Sequence, residues 1–378
     1  AAMDDTRTIP ADSALPGWLS GLPLGWQPYA MLARWDRPVG IWLLYLPCLI
    51  GLAFQRLITG VYVFDLVWAI LFLLGAVAMR GAGCTWNDIT DRNFDASVSR
   101  TALRPLPSGA VTLKQAYYFL GAQLLIGFTV WLLLPLDAKF VALLSIPLVV
   151  AYPYMKRVTW WPQAWLGLTF NWGVLVGAAV ASHVSFPVIV LYAGLILWTI
   201  AYDTIYALQD REDDALIGVR STARLFGKRA VLISFCFHLG AAALIALAAA
   251  MNEAGRIGAL TALLFLAHGV WQSVRLKSSR EQAALAVFKS NVWAGALVAF
   301  GFALSAMAPE PTQSSLFADH ELVPDGPPST MSLPFGFEMK HARPSPSESG
   351  ETWFASAALR ALKREGVIGP DEDAPSAP

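Results

Sequence analysis

The sequence predicts an all-α polytopic membrane protein, and three observations carry that reading. Of 378 residues, 56% are hydrophobic and 14% are charged, where a soluble domain carries about 25% charged residues. Mean hydropathy is +0.51. Apolar runs of the length needed to cross about 30 Å of hydrocarbon recur between residues 38 and 308.

Taken in order, residues 1–37 form an N-terminal segment that lies in the interface. Trp18, Trp26 and Trp35 alternate there with Arg34 and Arg37, the pairing of aromatic ring and snorkelling cation that suits the headgroup region. No apolar run of the secretory kind precedes residue 38, and Asp4 and Asp5 argue against a retained transit peptide. Residues 38–308 are expected to hold nine spanning helices: 38–56, 64–86, 115–134, 138–155, 162–182, 187–208, 229–251, 257–275 and 288–308. Each is long enough to cross with some tilt. The connections 157–161 and 183–186 are short, so the helices they join run antiparallel. Residues 309–378 hold 11 of the 24 prolines and read as a disordered tail, with a short amphipathic helix expected over 353–365.

Lys and Arg set the orientation. The N-terminal segment and the loops after the second, fourth, sixth and eighth helices, with their edges, hold 18 of the 27, and Arg80 lies within the second helix. The loops on the other side hold 3, Arg56, Lys139 and Arg256, and the tail holds 5. That bias places the N-terminus on the cytoplasmic side or its topological equivalent, and the odd number of crossings places the C-terminus opposite. A net charge of zero gives no sign of nucleic-acid binding. Cys48, Cys84 and Cys236 have no spacing for a disulfide framework or zinc. His238 and His268, in apolar helices, read as packing or helix–helix hydrogen-bonding residues.

Two acidic stretches stand at ends of apolar runs on the basic side. Asn87-Asp88-Ile89-Thr90-Asp91-Arg92-Asn93-Phe94-Asp95 and Gln209-Asp210-Arg211-Glu212-Asp213-Asp214 share the pattern Asp-Arg-x-x-Asp. Four residues are about one helical turn, so each carboxylate pair falls on one face. Downstream, Val98-Ser99-Arg100-Thr101-Ala102 is echoed by Val219-Arg220-Ser221-Thr222-Ala223. A bare carboxylate at the membrane is costly, so solvated surface charge is the weaker explanation of this duplication. Hard oxygens at one-turn spacing suit Mg²⁺, which takes one or two carboxylates and shares the rest of its shell with water and phosphate. Arg92, Arg100, Arg104, Arg211 and Arg220 in the same loops serve topology, and beside carboxylates and metal they also suit a diphosphate. No P-loop is present. Asp203 lies seven residues before Asp210, about 10 Å deeper on the same face, and is a functional candidate as an intramembrane carboxylate. Asn171 is balanced between function and packing. Lys156 and Arg157, after Tyr152-Pro153-Tyr154, are balanced between topology and anion binding.

These stretches, with Arg34-Trp35-Asp36-Arg37-Pro38-Val39-Gly40, Arg104-Pro105-Leu106, Tyr206-Ala207-Leu208, Gly218 to Ala223 and Phe288-Lys289-Ser290-Asn291, make residues 30–308 resemble the UbiA family of intramembrane prenyltransferases, most closely its 4-hydroxybenzoate branch. The resemblance implies nine helices around a central cavity and Mg²⁺-dependent transfer from a polyprenyl diphosphate to the ring of 4-hydroxybenzoate, ortho to the phenol, for ubiquinone. It implies a first metal held by Asn87, Asp88, Asp91 and Asp95, and a second held by Asp210 and Asp214 with Asp213. It implies that Asp203 accepts the phenol's hydrogen bond and that Arg157 or Arg37 holds the ring carboxylate. The membrane would be a bacterial inner membrane or the mitochondrial inner membrane. Protohaem and 1,4-dihydroxy-2-naphthoate are alternative acceptors. A cation transporter is disfavoured because its carboxylates belong near mid-bilayer.

Overall fold

The computed structural model describes residues 17–96, 101–209, 211, 215, 218–278 and 280–308. The proline-rich tail expected over 309–378, Arg100, Asp210, Asp213 and Asp214 lie outside the described residues. The described residues are nearly all helical and contain no strand. After one helical turn at Gly17–Ser20 come α1 (Gln27–Leu32), α2 (Val39–Thr59), α3 (Asp65–Asp95), α4 (Leu113–Leu133), α5 (Leu136–Leu143) and α6 (Ile146–Val158). These are followed by α7 (Pro162–Phe170), α8 (Trp172–Ala181), α9 (Phe186–Tyr206), α10 (Thr222–Phe226), α11 (Ala230–Met251), α12 (Gly255–Ser278) and α13 (Arg280–Met307). With α5–α6, α7–α8 and α10–α11 counted as single crossings, nine helical spans among the described residues are long and apolar enough to cross a membrane.

Two crossings are interrupted. The fourth opens at Leu144 and Ser145, where Pro147 near the start of α6 lacks the N–H that would continue the helix and the Ser145 hydroxyl donates to Ala142 O at 2.7 Å. The fifth opens at Asn171, whose side-chain amide donates to Gly167 O at 2.9 Å, Leu195 O at 3.0 Å and Thr199 Oγ1 at 2.7 Å. Those bonds give Asn171 a packing role between α7 and α9. His238 and His268 also hydrogen-bond across helices, His238 Nε2 with Phe265 O at 2.9 Å and His268 Nε2 with Ser290 Oγ at 3.0 Å. All three cysteines are free thiols.

The principal core joins α2, α8, α9, α11, α12 and α13 through Ile50, Phe54, Leu195, Trp198, Phe265 and Phe302, among others. Without a strong apolar driving force inside lipid, close backbone approach holds such helices together. Gly51 and Gly177 supply it, since a Cβ at either would collide with Val174 O or Cys48 O on the facing helix. On the less basic side, Arg56 makes a double contact with Asp65 and also donates to Thr59 Oγ1 at 3.0 Å, tying α2 to the start of α3.

The clearest departure from sequence expectation is α3. Its 31 residues span about 46 Å at 1.5 Å per residue, more than the bilayer core needs. The spanning helix was expected to end at residue 86, with the acidic stretch in the loop beyond. Instead the helix runs on to Asp95 and carries Asn87, Asp88, Asp91 and Asp95 on its last turns.

Candidate active site

The end of α3 displays three aspartates that are almost wholly buried, at 0% for Asp88, 1% for Asp91 and 4% for Asp95. Burial of bare carboxylates to this depth demands opposite charge, and each one has it. Arg34 reaches Asp88 with Nη2 at 2.9 Å from Oδ1 and 3.1 Å from Oδ2. Arg104 Nη1 lies 2.8 Å from Asp95 Oδ2 and 3.6 Å from Asp88 Oδ1, so it bridges the two. Asp91 receives Arg157 Nη2 at 2.7 Å on Oδ1 and the Lys156 ammonium on Oδ2. Burial pushes the Asp95 carboxyl above its ordinary range, opposed by the Arg104 charge.

Local structure explains how each cation arrives. Arg34 has φ of 58°, a left-handed turn between α1 and α2 that non-glycine residues adopt at some cost. Its Nη1 also donates to Met31 O at 2.9 Å. Arg104 follows a turn in which the Thr101 hydroxyl donates to Asp95 O at 2.8 Å. Lys156 and Arg157 occupy the last turn of α6, where cations suit the helix C-terminus.

That last turn also grips the loop that follows the second acidic stretch. Arg220 N–H donates to Lys156 O at 3.1 Å and its Nη1 to Val158 O at 2.7 Å, with its guanidinium over Trp160. Thr222 N–H donates to the buried Gln163 Oε1 at 3.0 Å, and the hydroxyls of Thr204 and Thr222 meet at 2.6 Å. The α6–α7 corner thus contacts Asp91 on one side and residues 220–222 on the other.

A cavity of about 340 Å³ opens from this acidic end into the bundle, between α2, α3, α6, α7 and α8. Its polar end holds Arg34, Asn87, Asp88 and Arg104, and its deeper apolar wall includes Phe170 and Trp172. Arg80 lines it eight residues before Asp88, about 12 Å deeper along α3. The Arg80 guanidinium lies over the Phe170 ring, 5.2 Å from its centroid, and its Nε has no hydrogen-bond partner among the described residues. Tyr152 lines the same cavity.

The structure therefore brings together Asn87, Asp88, Asp91, Asp95, Arg104, Lys156 and Arg157 from the residues expected on sequence grounds. Asp203 is not among the cavity-lining residues. Arg37 turns its Nε toward Asp36 Oδ2 at 3.3 Å. Arg92 is exposed, with Nε 3.4 Å from Asn93 Oδ1, and Arg220 is bonded to the α6–α7 corner. Arg211 lines a different groove. Sequence reasoning missed Arg80, Gln163 and Arg34 as site residues. Arg80 had a legible signal, an arginine inside an apolar span, whereas Gln163 and Arg34 become visible through their tertiary partners.

The oxygen donors, the Asp88, Asp91 and Asp95 carboxylates and the Asn87 carboxamide, suit a hard divalent cation. No group of three or more acidic, His or Cys residues converges as a metal cage among the described residues.

A model described as the UbiA prenyltransferase family matches residues 44–301. The chain is 40% identical over 306 residues to the mitochondrial 4-hydroxybenzoate polyprenyltransferase of Mus musculus, an alignment that covers 80% of each chain. Its fold is similar to the apo structure of a UbiA homolog from Aeropyrum pernix K1, with TM-score 0.59 and 27% identity over 70% of this chain and 97% of that one. A UbiA homolog from Archaeoglobus fulgidus, bound to GPP and Mg²⁺, gives TM-score 0.56 at 16% identity over 74% of this chain and 100% of that one, a likeness of fold.

Proposed function

Because the chain belongs to the UbiA prenyltransferase family, we propose that it transfers a polyprenyl group from polyprenyl diphosphate to the ring of 4-hydroxybenzoate, a membrane step of ubiquinone biosynthesis. The observation that carries this reading is the 40% identity to a 4-hydroxybenzoate polyprenyltransferase across 80% of both chains. Protohaem and 1,4-dihydroxy-2-naphthoate become the alternative acceptors. The mitochondrial relative supports the mitochondrial inner membrane, with a bacterial inner membrane as the alternative.

Asn87, Asp88, Asp91 and Asp95 would hold one Mg²⁺, and Asp210 and Asp214 with Asp213 a second. Bound Mg²⁺ supplies positive charge that neutralises the diphosphate as it departs. Arg34, Arg104, Lys156 and Arg157 stand around the acidic face, paired with its aspartates, and would turn to the diphosphate oxygens as Mg²⁺ takes up the carboxylates. The allylic C–O bond breaks with its electron pair passing to the diphosphate. The ring carbon ortho to the phenol forms the new C–C bond, and that carbon's proton passes to an oxygen of the departed diphosphate, which restores aromaticity. An apolar wall that includes Phe170 and Trp172 keeps water from the allylic cation.

Asp203 accepts the phenol's hydrogen bond and raises the ring's nucleophilicity. For the ring carboxylate the geometry favours Arg80 over Arg157 and Arg37. Of the cations lining the cavity, Arg34 and Arg104 already pair with aspartates, and Arg80 lies deeper. Arg157 is engaged with Asp91, and Arg37 faces Asp36. An acceptor panel tests the reading: membranes holding the protein receive labelled prenyl diphosphate, Mg²⁺ and each candidate ring, with the product identified by mass. A prenylated 4-hydroxybenzoate supports it, and exclusive prenylation of another ring refutes it.

A further inference from the structure

At the basic end of the bundle, on its outer surface, a groove of about 870 Å³ runs between α11 and α12. Three cations from three places in the chain rim it: Arg211 beyond α9, Lys228 in the turn before α11, and Lys277 in the last turn of α12. None of the three forms an ion pair among the described residues. Away from the rim the lining becomes apolar one helical turn at a time. On α12, Lys277 gives way to Val274 and then Val270, and across the groove Lys228 gives way to Leu232. Val270, Val274 and Leu232 are exposed, so this wall faces lipid rather than core. Leu276 and Ala230, both buried, close the floor.

We propose that this groove binds one anionic phospholipid, with its phosphodiester among Lys228, Lys277 and Arg211 and its upper acyl chains along Val274, Val270 and Leu232. The argument is charge complementarity combined with depth. The cations stand where a headgroup lies, and the apolar lining begins where hydrocarbon begins. A water-soluble anion leaves the apolar half of the groove unmatched. A lipid of no net charge offers no counter-ion to the three cations at this low-dielectric boundary. The groove shares no lining residue with the reaction cavity. The inference rests on the bilayer placement of the helices and is independent of the acceptor's identity.

The test is native mass spectrometry of the purified full chain in neutral detergent, titrated with dioleoylphosphatidylglycerol or dioleoylphosphatidylcholine. The wild type should retain one phosphatidylglycerol in preference to phosphatidylcholine, and the preference should shrink in 1 M salt. K228Q/K277Q should lose about thirty-fold in phosphatidylglycerol affinity, since each interfacial cation contributes about fivefold, with phosphatidylcholine binding unchanged. K228R/K277R should bind as the wild type does, which separates loss of charge from loss of fold. Equal binding of the two lipids, or full phosphatidylglycerol affinity in K228Q/K277Q, overturns the proposal. So does displacement of the lipid by geranyl diphosphate, which would assign the groove to the donor. A wild-type dimer that K228Q/K277Q dissociates would assign it to a second copy and likewise overturn the proposal.

Discussion

Asp91 is 1% exposed and meets two cations, so its charge is more consequential than its volume. Asp91→Asn keeps the shape and removes the charge. Lys156 and Arg157 are 27% and 49% exposed, so water can solvate them and the fold should persist. Prenyl transfer is expected to fall by about 10²–10³-fold, the scale for removing one preorganised electrostatic contact. Near-normal turnover at saturating Mg²⁺ would remove Asp91 from the site. Arg80→Ala should lower kcat/KM for 4-hydroxybenzoate by about 10–100-fold, the range for a charged hydrogen bond, and should abolish discrimination against its methyl ester. An unchanged preference for the free acid would exclude Arg80 from carboxylate binding. Asp203→Asn should leave prenyl diphosphate affinity intact while ring transfer drops by about 10²-fold, as for a positioned acid–base group. Loss of diphosphate affinity would assign Asp203 to the metal site instead. The first acidic stretch was legible in sequence because spacing alone places its carboxylates on one helix face. Arg80 was harder to read, since hydropathy absorbs a lone arginine into its helix and only the cavity wall reveals what it faces.

At the scale of elements, most helices were legible because bilayer thickness fixes the length of each apolar run. The end of α3 was not. Hydropathy falls after residue 86, yet the helix continues to Asp95 because Arg34, Arg104, Lys156 and Arg157 neutralise its buried aspartates from four points elsewhere in the chain. No local window of sequence contains those partners. The α6–α7 corner was hidden for the same reason, as its bonds join residues 156–163 to residues 220–222. If this corner holds the second loop in place, Gln163→Ala should raise KM for the prenyl diphosphate by about fivefold, the scale of one buried hydrogen bond. KM for the acceptor should stay unchanged. Gln163→Glu, which keeps an oxygen for Thr222 N–H, should recover most of the loss. Equal shifts in both KM values, with no recovery, would mean that Gln163 serves the fold alone.

For the molecule as a whole, the family match ends at residue 301, and the tail from 309 carries none of the residues assigned to the reaction. Truncation after residue 308 should leave transfer within about twofold of the full chain, because this proline-rich stretch lies beyond the family match. A well-inserted but inactive truncation would give the tail a part in catalysis. The central claim is that one acidic, cation-lined end of the bundle releases diphosphate and hands the prenyl group to a ring held just below it. Its most direct test is the ratio of prenylated ring to diphosphate released, measured on purified protein in a bilayer with Mg²⁺, polyprenyl diphosphate and 4-hydroxybenzoate. The expected result is one prenylated ring per diphosphate, with the new C–C bond ortho to the phenol. Diphosphate release without a ring product, or a product bonded through oxygen, would contradict it.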